Sequence, residues 1–235
     1  MPRVRPSARQ FLGDRRAVSA VEFALIVPFF LVLMAAGLQL TAYLMAIRKV
    51  DLIANSISEI LSQTMPPQNS TVATVSSADL HFNFDASMVL FPYMLADSYR
   101  RNRPWYENIT IDFSSITFTP KNATCAGNGD PSDCYTAKVI WTTTGTAGNN
   151  QRPCGVPQLP AADDAAPTPQ TLPRSVFGPG SVIAVDVVFP FAPAVGGGFI
   201  DPIRIARSVF LQPRYASRVD YDTTNDDRIA AKCAA

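Results

Sequence analysis

Residues 22–47 read EFALIVPFFLVLMAAGLQLTAYLMAI, a lone acid followed by 25 residues, Phe23 to Ile47, without a charge. At ~1.5 Å per residue a helix over that run is about 37 Å long, enough to cross a hydrocarbon layer of ~30 Å with some tilt. The run is too long for the apolar core of a secretory signal, typically ~7–15 residues. The reading is therefore an anchor that stays in the membrane, spanning Phe23 to Ile47. Its flanks orient it. Arg3, Arg5, Arg9, Arg15 and Arg16 precede the run against Asp14, whereas Arg48 and Lys49 beyond it are soon followed by Asp51 and Glu59. Basic residues favour the cytoplasmic side. The N-terminus is expected inside and residues 48–235 outside.

Helical spacing continues past the run. Val50, Ile53, Ile57, Ile60, Leu61 and Thr64 recur every three to four residues, with Asp51, Asn55, Ser58, Glu59 and Ser62 between them. Pro66-Pro67 ends the pattern. One helix from about Val18 to residue 64 or 65 is expected, half in lipid and half presenting an apolar stripe that needs a cover. A second helical stretch, Ala78 to about Arg101, starts after Ser76 or Ser77 as cap, breaks at Pro92 and ends before Pro104. Beyond it the texture alternates. Ile109–Ser114, Ser115–Phe118, Lys138–Thr144, Val182–Phe189 and Ser208–Leu211 are rich in strand formers, with turn-rich loops between and no helical period. The expected fold is α+β: a long N-terminal helix packed on a small antiparallel sheet of about four strands. Three regions follow: a basic cytoplasmic leader (1–17), the helix (18–65) and an exported α+β domain (66–235). Seven prolines between Pro153 and Pro179 predict a long exposed loop over 145–180.

The first 22 residues hold five of the 20 basic residues and two of the 19 acids, which leaves 15 against 17 beyond them. This balance offers no basic nucleic-acid-binding surface. Cys125, Cys134, Cys154 and Cys233 all lie in the part expected outside, where an even count suggests disulfides. Cys125 and Cys134 flank the turn-rich stretch 126–133 and can close a local loop, which leaves Cys154 with Cys233. Four free thiols or a metal site are the other readings, but the spacing is not that of a metal ribbon and the chain has one histidine, His81.

No catalytic constellation is visible, and the reading is of a protein that is not an enzyme, with no cofactor. His81 lies between Leu80 and Phe82 in a helical pattern, with no nucleophile-elbow motif anywhere. Gly196-Gly197-Gly198 lacks the Lys-Ser or Lys-Thr of a phosphate loop and reads as a turn. Trp105, Tyr106 and Trp141 can form a binding patch, although aromatics beside strands are more often core. Three glycosylation sequons, at Asn69, Asn108 and Asn122, read as chance matches.

Glu22 needs its own account, because a carboxylate just inside an apolar helix is costly unless it stays at the interface or finds a partner. In one reading it sits at headgroup depth and favours the helix N-terminus through the macrodipole. In the other it serves a new chain end: after a cut between Ala17 and Val18 it is the fifth residue, able to pair with the amino group of Val18 on a neighbouring subunit. Residues 17–28, AVSAVEFALIVP, resemble the N-terminal signature of the TadE/TadG family, pseudopilin-like assembly proteins of the bacterial tight-adherence (Flp, type IV) pilus. The similarity runs from Arg15 to Glu59 and rests on the basic leader, the Glu22-Phe23 pair and Pro28 in the apolar helix.

The resemblance implies a membrane-anchored pilus-assembly component, with Ala17 and Val18 flanking the prepilin-peptidase cut and Glu22-Phe23 as the export or assembly acid and its neighbour. Its partners are then the inner membrane, other pilins or pseudopilins, assembly proteins and a prepilin peptidase. Ala17 departs from the Gly that usually precedes the cut in related pilins, so an uncleaved membrane component is equally compatible. Pro28 removes one helix hydrogen bond and can kink the span. Ala35, Ala36 and Gly37 permit close helix approach or simply fill a lipid-facing surface. The alternative from a different class is an anchored periplasmic domain that binds a ligand or an envelope partner without polymerising.

Overall fold

The computed structural model describes residues 15–122, 130–144, 151–195 and 200–234. Its elements in chain order are α1 (Arg15–Ser62), β1 (Val72–Val75), α2 (Ser77–Leu90), α3 (Tyr93–Arg101), α4 (Trp105–Asn108), β2 (Thr110–Pro120), α5 (Pro131–Cys134), β3 (Tyr135–Thr143), β4 (Leu159–Ala161), β5 (Thr171–Pro173), a 3-10 turn (Arg174–Val176), β6 (Gly180–Phe191), β7 (Ile203–Leu211), β8 (Arg218–Tyr221) and β9 (Ala230–Lys232). The class is α+β, as the sequence predicts. β7-β6-β2-β3-β9 form one antiparallel sheet, and α1 lies across its β6–β7 side.

α1 is continuous over 48 residues, with Pro28 inside it. Its second half carries the expected stripe. Ala46, Val50, Ile53, Ala54, Ile57 and Leu61 are all buried, at the three-to-four spacing that places them on one face. They meet the odd-numbered residues of β6: Ile183, Val185, Val187, Phe189 and Phe191. Each Val, Leu, Ile or Phe side chain removed from water there contributes about 1.5–3 kcal/mol. Two ion pairs on the rim, Asp51–Arg207 at 2.5 Å and Glu59–Arg214, are about half exposed and align the helix more than they hold it.

The second helical stretch divides where the prolines demand. Ser76 caps α2 in a capping box with Asp79, and the chain breaks at Phe91-Pro92 before α3. Ile109–Phe118 is one strand, β2, and not two. A bulge in its partner β3 keeps both faces apolar: Ser115 stands opposite Trp141 and Ile116 opposite Val139, so Ile140 is skipped. Trp141 therefore joins the α1 layer while Ala137 and Val139 point to the other side.

That other side corrects the sequence reading of 145–180. The described part of this segment is not simply an exposed loop. β4 and β5 pair in parallel within it, and Leu172 and Phe177 are buried against Ile116, Phe118, Val182 and Ala184. It forms a second cover over the sheet. The parallel pair β1–β8 and the edge strand β9 were also not expected, and β7 begins at Ile203, five residues before the alternation at Ser208. Cys154 is bonded to Cys233, as the spacing predicts, so this cover is tied to the tail that carries β9. Cys134 is disulfide-bonded too; Cys125, its expected partner, lies outside the described residues.

Candidate functional site at the mouth and along the uncovered half of the long helix

The uncharged run divides between two environments. Tyr43, Ala46 and Ile47 pack on the domain, Tyr43 with its ring 5.5 Å from that of Phe191. The expected span to Ile47 is thus shortened at its end: the part before about residue 42 has no apolar packing from the domain, which touches it by one hydrogen bond at Gln39. There the helix is an exposed apolar cylinder. Phe23, Leu25, Phe29, Phe30, Leu31 and Val32 are each more than half exposed, and no part of the most apolar window is buried. α1 is long and apolar enough to cross a membrane by length and composition. From Phe23 to Thr41 it measures about 27 Å at 1.5 Å per residue, close to one hydrocarbon thickness.

Glu22 is exposed at the mouth of this cylinder. Val18 lies four residues before it on the same helix, one turn away, and Ala17 precedes Val18 in helical conformation. The structure brings the sequence-predicted site residues Ala17, Val18, Glu22, Phe23 and Pro28 onto one helix, with none of the domain packed on Glu22 or Phe23. The basic leader before Arg15 lies outside the described residues. A Cβ added at Gly37 would meet nothing within 4 Å, so that face also stands open.

A second concave feature lies on the domain. A half-open cleft of about 410 Å³ is lined by Phe84, Trp105, Tyr106, His81, Asp85 and Asp227, among others. Trp105 is tilted against Phe84 and meets Tyr106 edge-on, lining the cleft while partly buried against the core; Trp141 is fully core, its indole N–H donating to the Val219 carbonyl at 2.9 Å. His81 Nε2 sits 2.5 Å from Asp227 Oδ2. The His81 hydrogen bond, then the Ile229 amide, hold the Asp227 carboxyl below the usual range. No serine or cysteine is among the described lining residues; the hydroxyls there are those of Thr143 and Thr144. The Gly196–Gly198 turn lies outside the described residues.

Three features escaped the sequence reading. Two are Asp112 and Asp186, directly opposite each other on β2 and β6 and both buried. Arg152 lies over them from the covering segment. Its Nε and Nη2 donate to the two oxygens of Asp186 at 2.8 and 3.0 Å, and its Nη1 to Gln158 and the Thr171 carbonyl. Burial first, then the charge of Asp186, push the Asp112 carboxyl up to about 7, against the Thr143 hydrogen bond and Arg152. Among the described residues its Oδ2 has no partner. A single acid in the middle of two apolar strands, Ile111-Asp112-Phe113 and Val185-Asp186-Val187, was the available signal. The third is Gln39, the one amide in the uncharged run.

The Asp112 environment predicts a pH dependence. Asp112 is ionised above about 4 when unfolded but only above about 7 when folded, so the folded state binds the extra proton between those values. Its contribution is full below about 4 and is lost as pH rises through 7, by up to about 4 kcal/mol at 1.36 kcal/mol per unit. Urea unfolding of the full chain in detergent at pH 4.5 and pH 8 should show the wild type weaker at pH 8. Asp112→Asn should flatten the difference; an unchanged slope would place the titration elsewhere.

No protein-family model, curated protein or solved structure matches the chain.

Proposed function

We propose that the protein is a membrane-anchored, pseudopilin-like structural or assembly component of a bacterial tight-adherence pilus or related secretion machine. One observation carries this reading. A single helix has an uncovered apolar half of one bilayer's length with an acid at its mouth, and runs without a break into a half that packs on an antiparallel sheet. A helix so divided is suited to leave lipid and pack against copies of itself, because the half not covered by its own domain needs another apolar surround. The resemblance of residues 15–59 to TadE/TadG proteins supports the same assignment. In this reading the leader is cytoplasmic, the domain is periplasmic and Glu22 marks the inner boundary of the span.

Glu22 is assigned to assembly, with a neighbour's amino terminus or helix as its partner. An apolar residue there makes insertion easier. The first buried stripe residue, Ala46, is 24 positions on, so the domain is insensitive to the change. Glu22→Ala should therefore leave protein level, membrane fraction and disulfides intact and abolish co-purification with pilus partners. Glu22→Gln tests the charge alone, and N-terminal sequencing of the wild type tells whether Val18 is a free terminus. Normal piliation in the Glu22→Ala strain would reduce Glu22 to an interfacial anchor.

The aromatic cleft beside His81 favours a second reading, an anchored domain that binds a ligand without polymerising. Its discriminating result is a Trp105→Ala strain with normal piliation but altered envelope binding.

A further inference from the structure

Gln39 does not face empty surroundings. Its Oε1 accepts a hydrogen bond from the Ala194 backbone N–H at 3.1 Å. Ala194 lies on the descending limb of the connection from β6 to β7. The contact fixes a height. Counted from Phe23, Gln39 is about 24 Å along the helix at 1.5 Å per residue, some 6 Å short of a ~30 Å hydrocarbon layer that begins there. Tilting the helix lowers the contact further, and helix side chains lean toward the N-terminus, so the amide sits no higher than its Cα.

The chemistry of that connection matches the depth. Its exposed side chains Val195, Ile200 and Ile203 are apolar. Pro190, Pro193 and Pro202 carry no N–H to leave unpaired. Two carbonyls where β6 runs into the connection have arginine partners: Arg100 Nη2 donates to Ala192 O at 2.6 Å and Arg101 Nη1 to Pro190 O at 3.1 Å. Both arginines are set by the buried carboxylate of Asp97. Backbone enters hydrocarbon only when its polar groups are paired within the protein. Long arginine side chains at that level keep their charge toward the headgroups. Asp201 on the returning limb is exposed and belongs at the polar boundary.

We infer that residues 192–195 and 200–202, at the two ends of the β6–β7 connection, lie in the outer leaflet beside the span, with Gln39 as the latch of the first of them. The occupant of this surface is lipid. The inference rests on the membrane-spanning reading of α1.

The test uses the full-length protein in vesicles of phosphatidylethanolamine and phosphatidylglycerol. An environment-sensitive fluorophore is placed at Val195→Cys or Ile200→Cys. Leu33→Cys in the span and Leu159→Cys on the distal cover serve as references. Labels at 195 and 200 should be quenched by lipids carrying a shallow nitroxide and not by aqueous iodide. The label at 33 should answer to a deep nitroxide, and that at 159 to iodide alone. Iodide quenching at 195 and 200, with 33 still lipid-quenched, would overturn the inference and leave the span standing. Iodide quenching at 33 would overturn the span itself, and the inference with it. Shielding at 195 from both quenchers, lost when protein is diluted in lipid, would assign the surface to a second copy and overturn the lipid assignment. Gln39→Leu makes the helix more apolar yet frees the Ala194 N–H, so it should render label 195 iodide-accessible while label 33 is unchanged. No change at 195 would overturn the latch.

Discussion

Replacing Arg152 with methionine should cost roughly 3–5 kcal/mol, because it strands a buried acid without its counter-charge. Arg152 is buried, makes two of the three side-chain donor contacts to Asp186, Ser208 Oγ making the third, and lies 5.1 Å from the centre of the Phe210 ring. Methionine preserves most of the stem's packing and removes the charge, so the loss reads the ion pair and not a cavity. The cost should grow with pH, since Asp112 beside the pair ionises through about 7. Combining Arg152→Met with Asp186→Leu should recover much of the loss, because a desolvated pair replaced on both sides by apolar groups is often neutral. Urea unfolding of full-length variants in detergent measures both. A single variant within 1 kcal/mol of wild type would mean that water or a neighbouring group already solvates Asp186.

The second large effect is covalent. Cys154 and Cys233 are 79 residues apart in sequence, and a cross-link closing a loop of that size restricts the unfolded chain by about 4.5 kcal/mol in the chain-entropy model. Serine at both positions should lower stability by that order. The loss should be local in its first signs: the bond joins the segment carrying Arg152 to the tail carrying β9, so hydrogen exchange should rise first over 151–177 and 230–232. Protection unchanged there would show that packing of Leu172 and Phe177 holds the cover unaided. Mass spectrometry of unreduced, alkylated wild type checks the bond itself.

What could be read from the sequence follows the length of each pattern. α1 carries its period over six buried stripe positions, and β2, β3 and β6 alternate over enough residues to stand out. β1, β4, β5, β8 and β9 are three or four residues long, too short for any period to register. The end of the uncovered helix was hidden for a different reason. Tyr43, Ala46 and Ile47 are apolar because a sheet covers them, Leu38 and Leu40 because nothing of the protein does, and the two causes leave the same letters. Proline density marked 153–179 as non-helical but carried no information on burial, which Leu172 and Phe177 decide. Asp112, Asp186 and Arg152 lie far apart in sequence; the β2–β6 register brings the two acids together and the covering segment brings Arg152 to them.

The 48-residue helix has no joint between its two halves. On the membrane reading, the domain is not tethered but mounted: it cannot swing, and it stands only as tall as the helix that carries it. From Tyr43 to Ser62 that is about 29 Å at 1.5 Å per residue. Such a body works at short range, and whatever it touches must come to the bilayer surface. A rigid shaft also transmits. On the same reading, any displacement of the span along the membrane normal reaches the sheet through one unbroken helix.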